Sequence, residues 1–294
     1  MLATAAARFA VVGHVEWCDF LVVDRLPRVG EIVHVADHFA EPAGGGAVAA
    51  VELARLGGSV DLFTALGSDR YGRSSRRRLG QLRVTVRARY QKQQQRRAIV
   101  HLEKGGERTI TVVGSRLGPS GADPLPWRLL DGAAVYFTAG DAAAVSEARR
   151  AAVLVATARA KHTLAAAGVA IDVLVRSGRD PDERYEPGEL TPPPWAVVTT
   201  LGAEGGTVEL ADGERMRWPA ERVDPSEVVD TYGAGDCFAA GLTWALGRGY
   251  QLRDAIAVAA RCGADCVRRR GPYRRVAPDS DASGRAEEGV GGIG

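Results

Sequence analysis

Cysteine is scarce, with Cys18, Cys237, Cys262 and Cys266 as the whole complement and no Cys-x-x-Cys among them. A disulfide framework or a zinc knuckle is therefore not expected, and the four read as reduced thiols. Cys262 and Cys266 fall one helical turn apart, yet the five histidines do not cluster near them to complete a metal site. Excess charge is lacking too. A formal net charge of +2 gives no bulk attraction toward nucleic acid or an anionic membrane, and the runs Arg76-Arg77-Arg78 and Arg268-Arg269-Arg270 read as solvated faces or helix ends. The apolar start, Ala5 to Val15, is too short to span a bilayer, is interrupted by Arg8 and His14, and carries no cleavage pattern, so it reads as a first buried strand. A dinucleotide-binding turn is missing as well, because Gly44-Gly45-Gly46 lacks the Gly-x-Gly-x-x-Gly spacing and the acidic residue after a second strand. No internal repeat is visible. These absences set the expectation of a cytoplasmic protein with no nucleic-acid partner and no membrane partner.

What is present is enough apolar material, 46% of 294 residues, for a substantial core. Strand-like runs at Phe9–Val12, Val60–Thr64, Ala134–Thr138, Val153–Ala156, Val173–Val175 and Ala196–Thr200 alternate with helical stretches. That alternation predicts a largely parallel sheet covered by helices on both faces. A helix is expected from about Gly46 to Leu56, ending at Gly57-Gly58, and others follow Asp236 and Asp254, where Phe238, Leu242, Leu246 and Ile256, Ala260 keep helical spacing. Two segments fit the alternation poorly, Phe20 to Phe39 and Tyr90 to Val113. The second carries a hairpin pattern, Ala98–Leu102 and Thr109–Val113 around Gly105-Gly106. One domain over 1–278 is expected, followed by a disordered tail at 279–294 that is rich in Gly, Ser and charge.

The chemistry concentrates in Asp230-Thr231-Tyr232-Gly233-Ala234-Gly235-Asp236. Gly-Ala-Gly opening a helix leaves backbone N–H groups unpaired at its positive end, so the amides of Gly233, Ala234 and Gly235 form an anion hole for a transferring phosphoryl group. Asp236, in the first turn, is the candidate base that takes a hydroxyl proton, and its place at a helix N-terminus predicts a low pKa. Gly-Ala-Gly-Asp alone is more often an ordinary capped turn. The added Asp230 and Thr231 are what favour phosphoryl transfer.

This run resembles the C-terminal signature of the ribokinase-like, or PfkB, family of carbohydrate kinases. Arg25-Leu26-Pro27-Arg28-Val29-Gly30-Glu31, Ala43-Gly44-Gly45-Gly46-Ala47, Gly105-Gly106-Glu107-Arg108-Thr109 and Thr200-Leu201-Gly202-Ala203-Glu204-Gly205-Gly206 are similar to four further family segments, in the same order. The resemblance implies a ribokinase-like three-layer α/β/α fold with a largely parallel central sheet and a small β lid, its strands drawn from about 14–40 and 90–113. It implies ATP-dependent phosphoryl transfer to a hydroxyl of a small sugar-like or nucleoside-like substrate, with ATP and Mg²⁺ bound and a homodimer formed through the lid. Thr200, Gly202 and Gly205 would meet the nucleotide. Ser177-Gly178-Arg179-Asp180 stands where the family has Asn-x-x-Glu, so Asp180 would serve Mg²⁺. Asp230, with the Tyr232 carbonyl and the loop near Gly271, corresponds to a monovalent-cation (K⁺) site, an ordinary turn cap being the equal alternative.

Glu16, Gly45, Gly46, Val48 and Asp236 would line the acceptor pocket, and here the chain departs from the pattern. Val48 replaces an Asn, while Glu16 and Cys18 stand where ribokinase-type members carry Asn and Asp. Ribose itself is thereby disfavoured, because a polyol needs paired hydrogen-bond partners. A carboxylate at Glu16 predicts an uncharged or cationic acceptor, a reading that Arg96 or Arg97 from the lid could reverse. The alternative of a non-catalytic ligand sensor on the same fold does not need Asp236.

Overall fold

The computed structural model describes residues 8–103 and 108–275. The expected tail at 279–294 and the Gly105-Gly106 turn lie outside the described residues. The chain opens with β1 (Phe9–Val12), β2 (Glu16–Val23), β3 (Asp37–Ala43), α1 (Gly45–Arg55), β4 (Val60–Gly67), α2 (Arg70–Gln81) and β5 (Val84–Gln91). The hairpin β6 (Arg97–Glu103) and β7 (Arg108–Val113) follows, then β8 (Ala134–Phe137), α3 (Ala142–Ala148), β9 (Val153–Thr157), α4 (Lys161–Ala167) and β10 (Val173–Ser177). Next come β11 (Ala196–Thr200), β12 (Gly206–Leu210), β13 (Arg215–Trp218), α5 (Ala234–Gly247) and α6 (Leu252–Val267).

Nine strands join in the order β13-β12-β11-β10-β9-β8-β1-β4-β5, parallel from β11 to β5, with β12 and β13 antiparallel at one edge. Each run that reads as a strand forms one. Buried on both faces, such strands can be continuously apolar, and every residue of β4 is buried. The period of two then sorts side chains into layers: Phe9 and Val11 pack with Leu53, Leu242 and Ile256 of α1, α5 and α6. Ala10 and Val12 face the opposite cluster, with Ala144 of α3 and Leu164 of α4. This is the expected three-layer α/β/α arrangement.

The two segments that break the alternation form a separate four-stranded sheet, β3-β2-β6-β7. Its bounds differ from expectation in one respect. Tyr90 belongs to β5 at the edge of the main sheet, where it pairs with Leu66, and the lid resumes only at Arg97. The polar run between them joins the two sheets and is tied down by Gln95, which is 2% exposed, accepts from the Gly67 N–H (3.0 Å) and donates to the Val15 carbonyl (2.6 Å). A buried amide with both partners met explains glutamine where a strand would carry an apolar residue.

The basic runs are not wholly solvated, which corrects the reading from sequence. Arg269 is buried and holds buried Glu52 of α1 at 2.6 Å, and Arg78 grips buried Glu41 with two bonds of 2.7 and 2.9 Å. Each of these two arginines neutralises a buried carboxylate distant in sequence, and removing one partner would strand a buried charge. Among the described residues, no helix is long and apolar enough to cross a membrane.

Candidate active site

Parallel strands end on the same side, so the loops after β1, β8, β9, β10 and β11 stand in a row along one crest of the sheet. His14 and Glu16 follow β1, Thr138 follows β8, Arg159 follows β9, Ser177–Glu183 follow β10, and Leu201–Gly205 follow β11. The N-termini of α1 and α5 converge on this row. A Cβ at Gly45 would lie 2.9 Å from Asp236 Oδ1 and 3.7 Å from His14 Cε1, and one at Gly46 would lie 2.6 Å from the His14 carbonyl. Bare backbone at 45 and 46 is what lets the two glycine signatures meet.

Gly233 caps α5 in the left-handed conformation (φ 83°) with no side chain capping the helix, and a Cβ there would sit 2.9 Å from Val48. Conformation and space both favour glycine. The Ala234 amide makes a long bond to the Thr231 carbonyl (3.4 Å), while the Gly235 and Asp236 amides have no protein partner among the described residues. The turn is thus open to an anion at its second and third amides. Val48, fully buried, holds the turn from beneath.

Asp236 contradicts one expectation. Burial in the cleft, reinforced by the nearby Glu183 carboxylate, raises its pKa from 3.8 to about 7. Desolvation outweighs the helix N-terminus, because the field of a first turn contributes little beside the loss of water around a carboxylate. Arg108 of β7 opposes that rise, donates to Thr231 Oγ1 (2.5 Å) and lies 5.9 Å from the Tyr232 ring. The lid therefore places a cation over the α5 turn. Tyr232 ties the parts together: its hydroxyl accepts from the Gly44 N–H (3.2 Å), approaches Cys18 Sγ of the lid (3.5 Å), and its ring meets Phe20 edge-on.

After β10 the geometry departs from the reading of Asp180. That residue caps the short turn Pro181–Glu183 by accepting from the Asp182 N–H (3.0 Å), and it pairs with Arg159. Glu183 turns inward instead. Its Oε2 accepts from the Ser177 N–H (2.6 Å), burial raises its pKa, and its charge is the first felt by Asp236. Glu183 was not visible in sequence because it stands three residues beyond the expected position, reached only after a proline turn.

At the far end of the crest, Thr200 Oγ1 bonds weakly to the Arg176 carbonyl (3.4 Å). Gly202 lies under the Arg179 guanidinium, and a Cβ at Gly205 would come within 2.1 Å of the Trp218 carbonyl, so Gly205 lets β13 close against the turn. Asp230 is buried and spends one oxygen on the Tyr232 N–H (2.8 Å) and the other on the Gly271 N–H (2.9 Å). Burial raises its pKa, and Arg108 is the cation that acts on it.

The end of the crest beside β1 holds residues that were not singled out as site residues from the sequence. His14 is buried, and burial together with the charges of Arg116, Arg96 and Arg159 lowers its pKa to about 3, leaving it neutral. Among the described residues its Nδ1 has no hydrogen-bond partner, and neither does the buried Thr138 hydroxyl. A separate cavity of about 280 Å³, lined by Asp69, Tyr71, Gln95 and Arg97 among others, shares none of the Asp236 cluster.

The description "pfkB family carbohydrate kinase" matches residues 6–182 and 193–279. The chain is 30% identical over 294 residues to an ATP-dependent ribose-1-phosphate kinase of Halopiger xanaduensis, covering 94% of this chain and 96% of that relative. It is 42% identical over 80 residues to an aminoimidazole riboside kinase of Salmonella typhimurium, a match covering 26% of this chain and spanning about a quarter (24%) of the relative's length. The fold is similar to that of Arabidopsis thaliana ribokinase complexed with ribose and ATP (TM-score 0.71, 20% identity, 92% of this chain and 96% of that one). The chain belongs to the pfkB family of carbohydrate kinases and has the ribokinase fold.

Proposed function

We propose that the protein transfers a phosphoryl group from ATP to a hydroxyl of a small sugar-like or nucleoside-like molecule. The observation that carries this is the position of Asp236 Oδ1, beside the open amides of α5 and against the bare backbone of Gly45. In this reading Asp236 orients the acceptor hydroxyl and accepts its proton as the oxygen bonds to the γ-phosphorus and ADP leaves. The Gly233–Gly235 turn and Arg108 stabilise the charge on the transferring group. A pKa near 7 suits a base at neutral pH.

Thr200, Gly202 and Gly205 line the nucleotide end. Both carboxylates pair with Arg159, but Glu183 is the less exposed of the two and its charge acts on Asp236, whereas Asp180 also caps a turn, so Glu183 fits a role toward the hydration shell of Mg²⁺ better than Asp180. Mg²⁺ when bound supplies neutralisation of the β- and γ-phosphate charge. Asp230 spends both carboxylate oxygens on backbone N–H groups, which supports the turn cap over the K⁺ site. A homodimer through the lid is supported by Ile110, Val112 and Val113, which expose apolar surface on edge strand β7. The relatives named above act on acceptors with and without a phosphate, so their names leave the acceptor class open. The test is acceptor-dependent formation of ADP with a new phosphate ester seen by phosphorus NMR, across sugars, sugar phosphates and nucleosides. No ester with any member of that panel contradicts the proposal.

A further inference from the structure

Tyr232 stands inside the Asp230–Asp236 run, and nearly every group it carries is engaged. Its N–H donates to Asp230 Oδ1 (2.8 Å) and its carbonyl accepts from Cys266 Sγ of α6 (3.4 Å), so the peptides on both sides are held. The ring is gripped by the lid. Phe20 of β2 meets it edge-on at 5.1 Å and is itself stacked on Phe39 of β3 at 4.7 Å, while the Arg108 guanidinium of β7 lies 5.9 Å from the ring centroid. A buried aromatic plug would need no more than this.

The hydroxyl does what a plug does not. Its oxygen accepts from the Gly44 N–H (3.2 Å), which leaves the phenol hydrogen to reach Cys18 Sγ (3.5 Å), and the thiol's own hydrogen points to the Glu16 carbonyl (4.0 Å). Burial raises the phenol's pKa well above its ordinary 10 and that of the Cys18 thiol to about 12, so both keep their hydrogens. A row of hydrogen bonds thus runs from the start of α1, through the α5 turn, into lid strand β2. Cys18 and Tyr232 are both buried, and the row belongs to the frame of the cleft.

Gly44 is where this row bears on the chemistry. It caps α1 at φ 82° with no side chain bonded to the helix amides, and the Tyr232 oxygen satisfies its buried N–H. The next residue, Gly45, lies against the candidate base, since a Cβ there would be 2.9 Å from Asp236 Oδ1. With so little clearance, a shift of this backbone by less than about an ångström is passed directly to Asp236.

We propose, resting on the kinase reading above, that Tyr232 is a positioning residue: its hydroxyl is the joint through which the α5 turn holds the Gly44-Gly45 backbone at its place beside Asp236, with Cys18 of the lid steadying the joint from behind. The ring alone fills space. The oxygen sets the geometry.

The test uses Tyr232→Phe, which removes one atom and keeps the ring, together with Cys18→Ala, Cys18→Ser and the double variant Tyr232→Phe/Cys18→Ala. Phosphate ester formed from ATP is followed by phosphorus NMR across the same panel of sugars, sugar phosphates and nucleosides, ribose, ribose 1-phosphate and adenosine included. The Gly44 amide is followed by hydrogen exchange on protein labelled with nitrogen-15 glycine. Tyr232→Phe should lower kcat about tenfold, the scale of a sub-ångström misplacement, with the KM for ATP within about twofold of wild type. Exchange at Gly44 should quicken by about fivefold, one neutral hydrogen bond. Cys18→Ala should lower kcat by about threefold, Cys18→Ser should recover that loss, and the double variant should be no worse than Tyr232→Phe alone. Wild-type kcat in Tyr232→Phe, a loss confined to KM, or unchanged Gly44 exchange overturns the joint while the kinase reading stands. Equal losses in Cys18→Ser and Cys18→Ala, or losses that multiply in the double variant, mark packing instead and overturn it as well. A wild-type protein that forms no ester with any member of the panel defeats the kinase reading, and the positioning role falls with it whatever Gly44 shows.

Discussion

The two ends of the crest are built differently. At the proposed transfer end, seven consecutive residues, Asp230–Asp236, supply the turn, the open amides and the candidate base, and most polar groups there are tied to nearby backbone. At the proposed acceptor end, His14, Arg96, Arg116 and Thr138 arrive from four separate loops and Glu16 from the lid, and three of the five keep a polar atom without a hydrogen-bond partner among the described residues. A contiguous site can be fixed by local geometry alone. A dispersed one depends on the lid, and its open valences are those a ligand would complete.

The comparison can be sharpened first at Arg108, the lid residue that reaches the transfer end. Arg108→Ala should lower turnover by about a hundredfold, the scale of a lost transition-state donor, and leave thermal stability unchanged. Steady-state kinetics and calorimetry check both halves. A loss confined to the Michaelis constant would show instead that Arg108 only helps to hold substrate.

A smaller effect separates the two carboxylates after β10. Glu183→Gln should raise the Mg²⁺ concentration for half-maximal nucleotide binding by about tenfold, as expected for lost support of a bound ion, whereas Asp180→Asn should change it by less than about threefold. Mn²⁺ binding followed by electron paramagnetic resonance reads this without turnover. The opposite ranking would return the role to Asp180.

The smallest effect is on stability. Between 3.8 and about 7, folded Asp236 keeps a proton that the unfolded chain has lost, so ionising it weakens the fold as pH rises through that window. Asp236→Asn removes this liability. Its Tm relative to wild type should therefore increase between about pH 5 and pH 8. A difference that stays flat would mean that Asp236 is already ionised at the lower pH.

The transfer end and the layers were legible because they rest on local rules. Alternating apolar runs named the strands of the central sheet, and Gly233-Ala234-Gly235-Asp236 named the turn that opens α5 and the candidate base in its first turn. What stayed hidden depends on partners far away in sequence. Arg269 looked solvated because Glu52 lies 217 positions away, and His14 looked like an interruption of a strand because its neighbours come from the lid and α1. The sign of the Asp236 shift was missed for the same reason. Helix position is readable from sequence, whereas enclosure by the lid and proximity of Glu183 are tertiary facts. Counting from β10 pointed to Asp180, but Asp180 caps the proline turn, and the carboxylate that turns inward is Glu183.

The central claim is that both ends serve one proton and phosphoryl transfer at Asp236. It is tested most directly in Asp236→Asn by measuring acceptor phosphorylation and ATP binding on the same preparation. Turnover should fall by at least about a hundredfold while ATP affinity stays within about twofold, the signature of a lost general base. Near-normal turnover with intact ATP binding would contradict the account.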